Sequence, residues 1–149
     1  MAEYVSNPVQ LVQPGQAVLL DATIPCTKGY VLHRAGSGIF TLRGACGGCN
    51  RQARYQVTFN GNIALPDGAT AQPISIALTR DGEPVQTSKA IVTPAAAGDY
   101  FNVTSTAFID VFAGCCESIS VTNTSESVGT AAAPAINVQN ANFTIARTA

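Results

Sequence analysis

The chain has 149 residues, of which 11% are charged, less than half of the roughly 25% typical of soluble domains. Its 8 Lys+Arg and 9 Asp+Glu give a net charge of −1, which excludes a broad basic footprint for nucleic acid and a polybasic membrane patch. Because 46% of the residues are hydrophobic, the chain is still expected to fold, as one domain. One His, five Cys and nine scattered acids offer little for a catalytic centre, so we predict neither an enzyme nor a cofactor.

Residues 1–16, MAEYVSNPVQLVQPGQ, lack the basic and apolar regions of a secretory signal. No apolar run approaches the roughly 18 residues that a membrane span needs. We therefore expect synthesis in a cytoplasm. Residues 1–8 are predicted to be a short N-terminal arm, and residues 9–149 a single folded domain.

Apolar and polar residues alternate in short runs rich in Val, Ile, Thr, Tyr and Phe, which indicates an all-β sandwich or barrel. Turn residues such as Pro66-Asp67-Gly68, and the hairpin signal Asp81-Gly82, mark the ends of strands. In chain order the predicted strands are A (10–12, resumed at 17–20), B′ (29–33), B (39–43), C (53–65), D (74–80), E (89–93), F (100–111), G (118–123) and H (135–147).

The sequence predicts eight main strands and one short extra hairpin, and eight is the number of strands in a jelly roll. An immunoglobulin-type sandwich fits less well, because it takes about 100 residues and, in antibody domains, a buried Trp, whereas this chain has no Trp. The apolar phase of strand H slips between Val138 and Ala141, which predicts a β-bulge near Gln139-Asn140. The predicted fold class is all-β, a single jelly-roll β-sandwich.

Four segments carry a resemblance to a known superfamily through the order of their strands and the positions of their aromatic residues. They are the B′–B hairpin around Gly36-Ser37-Gly38, the long strand 53–62 (ARYQVTFNGN), the aromatic-led segment 99–103 (DYFNV) and the closing strand 136–147. Over about residues 9–147 the chain resembles the jelly-roll heads of the tumour necrosis factor and complement globular-head superfamily. These heads include the C-terminal domains of BclA-type, collagen-like spore-surface glycoproteins. The resemblance implies a compact TNF-like jelly roll that assembles as a homotrimer.

The resemblance also implies that part of one sheet packs about a threefold axis, with predicted strands C and F as contributors. Aromatic and apolar side chains on these strands are the candidate contacts, and an alternative is that they fill the core, because large apolar groups serve both purposes by the same burial. The candidates are Tyr55, Val57, Phe59, Tyr100 and Phe101.

The five cysteines are the most specific chemical feature of the sequence: Cys26, Cys46, Cys49, Cys115 and Cys116. If the B′ hairpin forms, the alternating chain direction places all of them at one end of the sandwich. Three interpretations stay open: disulfides between loops, a structural zinc site, or free thiols acting as small apolar groups. Because five is odd, at least one thiol is unpaired within a chain or bonds to another chain.

Two classes of function remain, a structural or binding module and an enzyme on a jelly-roll scaffold. The second is discounted because a cupin needs two or three His ligands and the chain has one His. We predict a trimeric subunit that decorates a large assembly, first a phage capsid, with the major capsid protein as partner and the virion surface as location. The alternatives are a bacterial spore-surface or appendage protein and a carbohydrate-binding module that contacts surface glycans. The low charge suits a subunit that buries a second face in its own assembly.

Overall fold

Alternation of buried and exposed side chains organises this chain into strands. The structure is a computed structural model that describes residues 1–46 and 51–149. Within them the strands are β1 (Ala2–Ser6), β2 (Gln10–Val12), β3 (Asp21–Ile24), β4 (Val31–His33), β5 (Phe40–Arg43), β6 (Gln52–Ala64), β7 (Ile74–Arg80), β8 (Glu83–Pro84), β9 (Ala90–Val92), β10 (Phe101–Phe112), β11 (Cys116–Asn123) and β12 (Ile136–Arg147). A 3-10 helix covers Gln86–Ser88, and no helix in the described ranges has the length and apolar character of a membrane span.

The strands form two antiparallel sheets that pack face to face. The first sheet has the order β10-β6-β12-β1-β3, and β2 pairs with the beginning of β12. The second sheet has the order β4-β5-β11-β7-β8, and β9 also pairs with β7. This two-layer sandwich confirms the predicted all-β jelly roll.

The core lies between the sheets and includes inward-facing aromatic residues. The Phe40 ring contacts Tyr4, His33 and Phe143, with centroids 4.5, 4.3 and 5.0 Å away. His33 also bonds through Nε2 to the Ser37 carbonyl oxygen at 2.9 Å, so this single histidine is part of the packing. Full burial of a Phe side chain contributes about 1.5–3 kcal/mol relative to leaving it in water.

The predicted N-terminal arm is wrong for residues 2–6, which form β1 inside the first sheet. β1 pairs with β12 on one side and with β3 on the other. Ala2 and Tyr4 alternate into the core and are almost completely buried. Without this strand both side chains and the edges of the neighbouring strands would be exposed, so residues 2–6 belong to the folded unit.

The strand predicted to resume at 17–20 is reduced to an isolated bridge between Ala17 and Thr122. Val18 and Leu20 are nevertheless buried. Their apolar character therefore reflects a place in the core, although regular strand pairing does not extend over this segment.

Two local predictions are confirmed by backbone geometry. The register between β12 and β6 shifts between Gln139 and Asn142, and Asn140 has a positive φ of 51°, which is the expected bulge. Asp81 and Gly82, with φ values of 48° and 87°, form the two-residue turn that connects β7 to β8. Positive φ at both central residues matches the I′ type, which suits the twist of a hairpin.

Candidate functional site

The residues predicted to contact neighbouring copies divide between the core and the surface. Tyr55, Val57 and Phe59 point from β6 into the sandwich and are fully buried. Their prediction as trimer contacts is therefore wrong, because a side chain enclosed by its own chain has no surface to offer to another copy. Tyr100 and Phe101, where β10 begins, are 41% and 39% exposed, and their contact with a second copy stays a prediction.

The outer edge of the first sheet is the long strand β10, which pairs with β6 along its whole length. Ile109 and Val111 face the core, so Phe108 and Phe112 face outward and are 63% and 60% exposed. Sequence reasoning missed these two residues, although the two-residue period of a strand relates them to their buried neighbours. Two exposed Phe side chains on an open edge strand make this an apolar region of the outer face of the first sheet.

Neutral polar pairs cover the outer face of the first sheet beside these aromatics. The Thr58 and Thr106 hydroxyl oxygens lie 3.2 Å apart across β6 and β10. Nearby, the Asn102 side-chain amide donates to the Oδ1 atoms of Asn60 and Asn62, at 2.7 and 3.1 Å. Hydroxyl and amide groups that bond to one another cost less to take out of water than unpaired charges do.

An ion pair joins the same two strands on this face. Arg54 donates from Nε and Nη2 to the two carboxylate oxygens of Asp110, at 2.7 and 2.9 Å. The hydrogen bonds from Arg54, with its positive charge, lower the pKa of Asp110. The two charges cancel, so the pair leaves no net charge beside the aromatics.

The described segments that carry Cys26, Cys46, Cys115 and Cys116 lie at one end of the sandwich. The Gly44 N–H donates to the Cys115 carbonyl oxygen at 2.9 Å, and the Arg43 N–H donates to the Tyr30 carbonyl oxygen at 2.9 Å. These bonds join the end of β5 to the segment before β4, and the residue after β5 to the residue before β11. Cys115 takes part in the first bond and Cys116 follows it, and Cys46 Sγ lies 3.8 Å from the Gly44 carbonyl oxygen. Cys26 lies beside the backbone of Tyr30.

The predicted disulfides are not formed among the four described cysteines, which are all free thiols. Cys115 and Cys116 are adjacent where β11 begins, and neighbouring residues of an extended chain project to opposite sides, so they do not face one partner together. Cys49 lies outside the described residues. No group of three or more His, Cys, Asp or Glu side chains suited to a metal occurs in residues 1–46 and 51–149, so the zinc interpretation gains no support there.

Cys26 has a distinctive environment, because it lies beside the backbone of the turn that follows it. Partial burial raises the pKa of the Cys26 thiol, but the N–H groups of Val31, Tyr30, Lys28 and Gly29 outweigh that effect and lower it overall. Backbone donors that converge on one atom favour its anion.

Comparisons by sequence find no protein family and no curated protein that matches this chain. Comparison by structure finds the globular domain of the zebrafish complement 1qA protein, with a TM-score of 0.58 and 13% identity. The match covers 99% of this chain and 97% of that domain. The chain therefore has the jelly-roll fold of a complement globular head over its full length.

Two further solved structures are similar at lower scores. The C-terminal domain of EclA, described as a sugar-binding protein, has a TM-score of 0.42 and 16% identity over 95% of this chain and 79% of its own. The GITRL protein of the pika has a TM-score of 0.40 and 8% identity over 95% of this chain and 98% of its own.

Proposed function

We propose that this protein is a non-enzymatic structural subunit that forms a homotrimer through the outer face of the first sheet and decorates a larger assembly. The observation that carries the proposal is the exposure of Phe108 and Phe112 on the outward face of edge strand β10. The trimeric arrangement is the one that the sequence resemblance implies.

Burial of this face by a second copy has a clear physical benefit. Each Phe side chain that is fully buried contributes about 1.5–3 kcal/mol, and a threefold assembly repeats that contribution at each interface. An edge strand leaves backbone N–H and C=O groups open to pairing with other chains, which promotes aggregation. A neighbouring copy that covers this strand prevents such pairing. The neutral Asn and Thr pairs next to the aromatics keep the cost of desolvation low.

Light scattering on the purified chain tests the trimer. We expect a mass three times the 15.3 kDa of one chain, and a shift towards the monomer mass when Phe108→Ser and Phe112→Ser are combined. The matched control is Ile91→Ser, because Ile91 is also 63% exposed but lies on the second sheet. A wild-type monomer, or a trimer that the double variant leaves intact, would contradict the proposal.

For the assembly itself we propose a phage capsid, with the major capsid protein as partner and the virion surface as location. The support is the low charge of the chain, 11% of residues, which suits a subunit whose exposed surface is neutral and polar. Quantitative mass spectrometry of purified virions and of purified spores from the source organism tests this. Enrichment in virions is expected; enrichment in spores instead would overturn the capsid and favour a spore-surface role.

A further inference from the structure

A groove of about 520 Å³ lies on the outward face of the second sheet, away from the face proposed for trimer contacts. Thr79 of β7 and Ser120 and Thr122 of β11 form its floor. Ile39 lines one side, and Gln86 of the 3-10 helix lines the other. The volume is in the range of about 300–1,000 Å³ that small-molecule sites occupy.

The floor of the groove holds hydroxyl groups with unused bonding capacity. The Thr79 and Thr122 hydroxyl oxygens lie 2.6 Å apart and share one hydrogen bond. These residues are only 4% and 9% exposed. A hydroxyl has one proton and two lone pairs, so one shared bond leaves the other O–H proton without a partner among the described residues. A buried donor of this kind favours a ligand that brings an acceptor.

Two more polar groups of the groove are free to bind. Within the described part of the chain, the Ser120 hydroxyl and the Gln86 side-chain amide make no hydrogen bond. Both can donate and accept, which matches the hydroxyl groups of a sugar, since each of these does the same. Ile39, which is 58% exposed, adds apolar surface for the C–H face of a sugar ring.

The charges at one end of the groove cancel. Lys89 Nζ donates to Glu126 Oε1 at 2.9 Å. A phosphate or a carboxylate ligand would have to compete with Glu126 for that ammonium group, so the groove favours a neutral ligand. Beyond this ion pair lies a second hollow of about 200 Å³, which shares Lys89 and Glu126 and is also lined by Ile91. A chain of linked sugars can therefore extend past the pair.

From these contacts we infer that the groove binds a neutral oligosaccharide, with the Thr79–Thr122 pair, Ser120 and Gln86 as its hydrogen-bonding residues. No Tyr, Phe or Trp lines the groove among the described residues, so no aromatic ring stacks on the sugar. We expect a dissociation constant in the millimolar range for a single site, and tighter binding where several copies of the protein act together.

A glycan array that carries both neutral and anionic oligosaccharides tests the inference on the fluorescently labelled full chain. We expect binding to at least one neutral glycan, and about a tenfold or greater weakening when Ser120→Ala and Gln86→Ala are combined. Thr41→Ala is the control, because Thr41 belongs to the same sheet, on β5, but does not line the groove. Circular dichroism confirms that each variant is folded.

Neutral oligosaccharides from the array, beginning with the best binder where one is found, are also titrated at millimolar concentrations into the ¹⁵N-labelled chain and followed by NMR, on the wild type and on the Phe108→Ser/Phe112→Ser variant. Shifts confined to the amides of Thr79, Gln86, Ser120, Thr122 and their neighbours are expected in both. The NMR titration reports binding at single residues of one chain. It therefore tests the groove even if the protein is a monomer and the trimer proposal fails. Binding to anionic glycans alone, shifts on the first sheet, or no shifts at the groove when neutral glycans are titrated above the expected dissociation constant would each overturn the inference.

Discussion

The guanidinium group of Arg54 on β6 binds both carboxylate oxygens of Asp110 on β10, between the outward-facing Phe108 and Phe112. The positive and the negative charge of this region therefore lie against each other. Because the pair lies on the face that we propose as the trimer contact, the pKa of Asp110 reports on the electrostatics of that face.

The first prediction concerns the pKa of Asp110. Because hydrogen bonds from Arg54 lower that pKa in the folded chain, the carboxylate contributes stability above its unfolded pKa and loses that contribution as the pH falls through the folded pKa. A ¹³C NMR titration of the Asp110 carboxyl group should give a midpoint below the ordinary range for Asp, and Arg54→Gln should raise it. Equal midpoints in the two proteins would show that the pair does not form in solution.

The second prediction concerns the Tyr55 hydroxyl, which donates to the carbonyl oxygens of Arg43 and Tyr30. Tyr55→Phe removes that donor and costs the Arg43 carbonyl oxygen its hydroxyl partner, whereas the Tyr30 carbonyl oxygen keeps its bond from the Arg43 N–H, so we expect a loss of about 1–3 kcal/mol in the free energy of unfolding. Urea denaturation measures the loss. Tyr100→Phe is the control, because Tyr100 is 41% exposed, and its midpoint should stay unchanged. An equal effect of both changes would contradict a structural role for the Tyr55 hydroxyl.

The third prediction concerns the β7–β8 hairpin. Asp81 Oδ1 accepts from the Ser118 N–H at 2.9 Å and from the Ser118 hydroxyl at 3.0 Å. Asp81→Ala removes both bonds and puts Ala at a φ of 48°, so thermal unfolding should show a loss of about 1–2 kcal/mol. Asp81→Asn keeps an acceptor and tolerates this conformation, so it should lose much less. Equal losses in the two variants would rule out this account of the turn.

The fourth prediction concerns the Cys26 thiol. In a chain whose other cysteines are replaced by Ser, the rate of alkylation by iodoacetamide should rise with pH at a lower midpoint when folded than in urea, because backbone N–H groups lower the folded pKa. The thiolate then adds stability above its unfolded pKa, and that contribution disappears as the pH falls through the folded pKa. A folded midpoint at or above the unfolded one would contradict this effect of the backbone N–H groups on the thiol.

The sequence alone predicted the longest strands, β6, β10 and β12, because each carries several full periods of alternation. It also predicted the bulge near Asn140 and the turn at Asp81-Gly82, because a phase slip and a dipeptide of turn formers are local signals. β1 was missed because five residues give little alternation and its two inward side chains include one as small as Ala2. β3 was missed because none of its four side chains is buried.

The candidate site was harder to predict, because an aromatic residue on a strand looks the same in sequence whether it faces the core or the solvent. The resemblance makes Tyr55 and Phe59 candidates for trimer contacts, with core packing as the alternative, and their burial confirms the alternative. Phe108 was not considered, although its phase relative to Ile109 points it outward. The groove on the second sheet is formed by residues far apart in the chain, such as Ile39 and Gln86, and no local pattern brings them together.

The most direct test of the central claim is an experimental structure of the assembled protein, by crystallography or by electron cryomicroscopy. We expect three copies about a threefold axis, with Phe108 and Phe112 of each copy buried against a neighbour. A structure in which both side chains stay in solvent, or in which the copies meet through the second sheet, would contradict it.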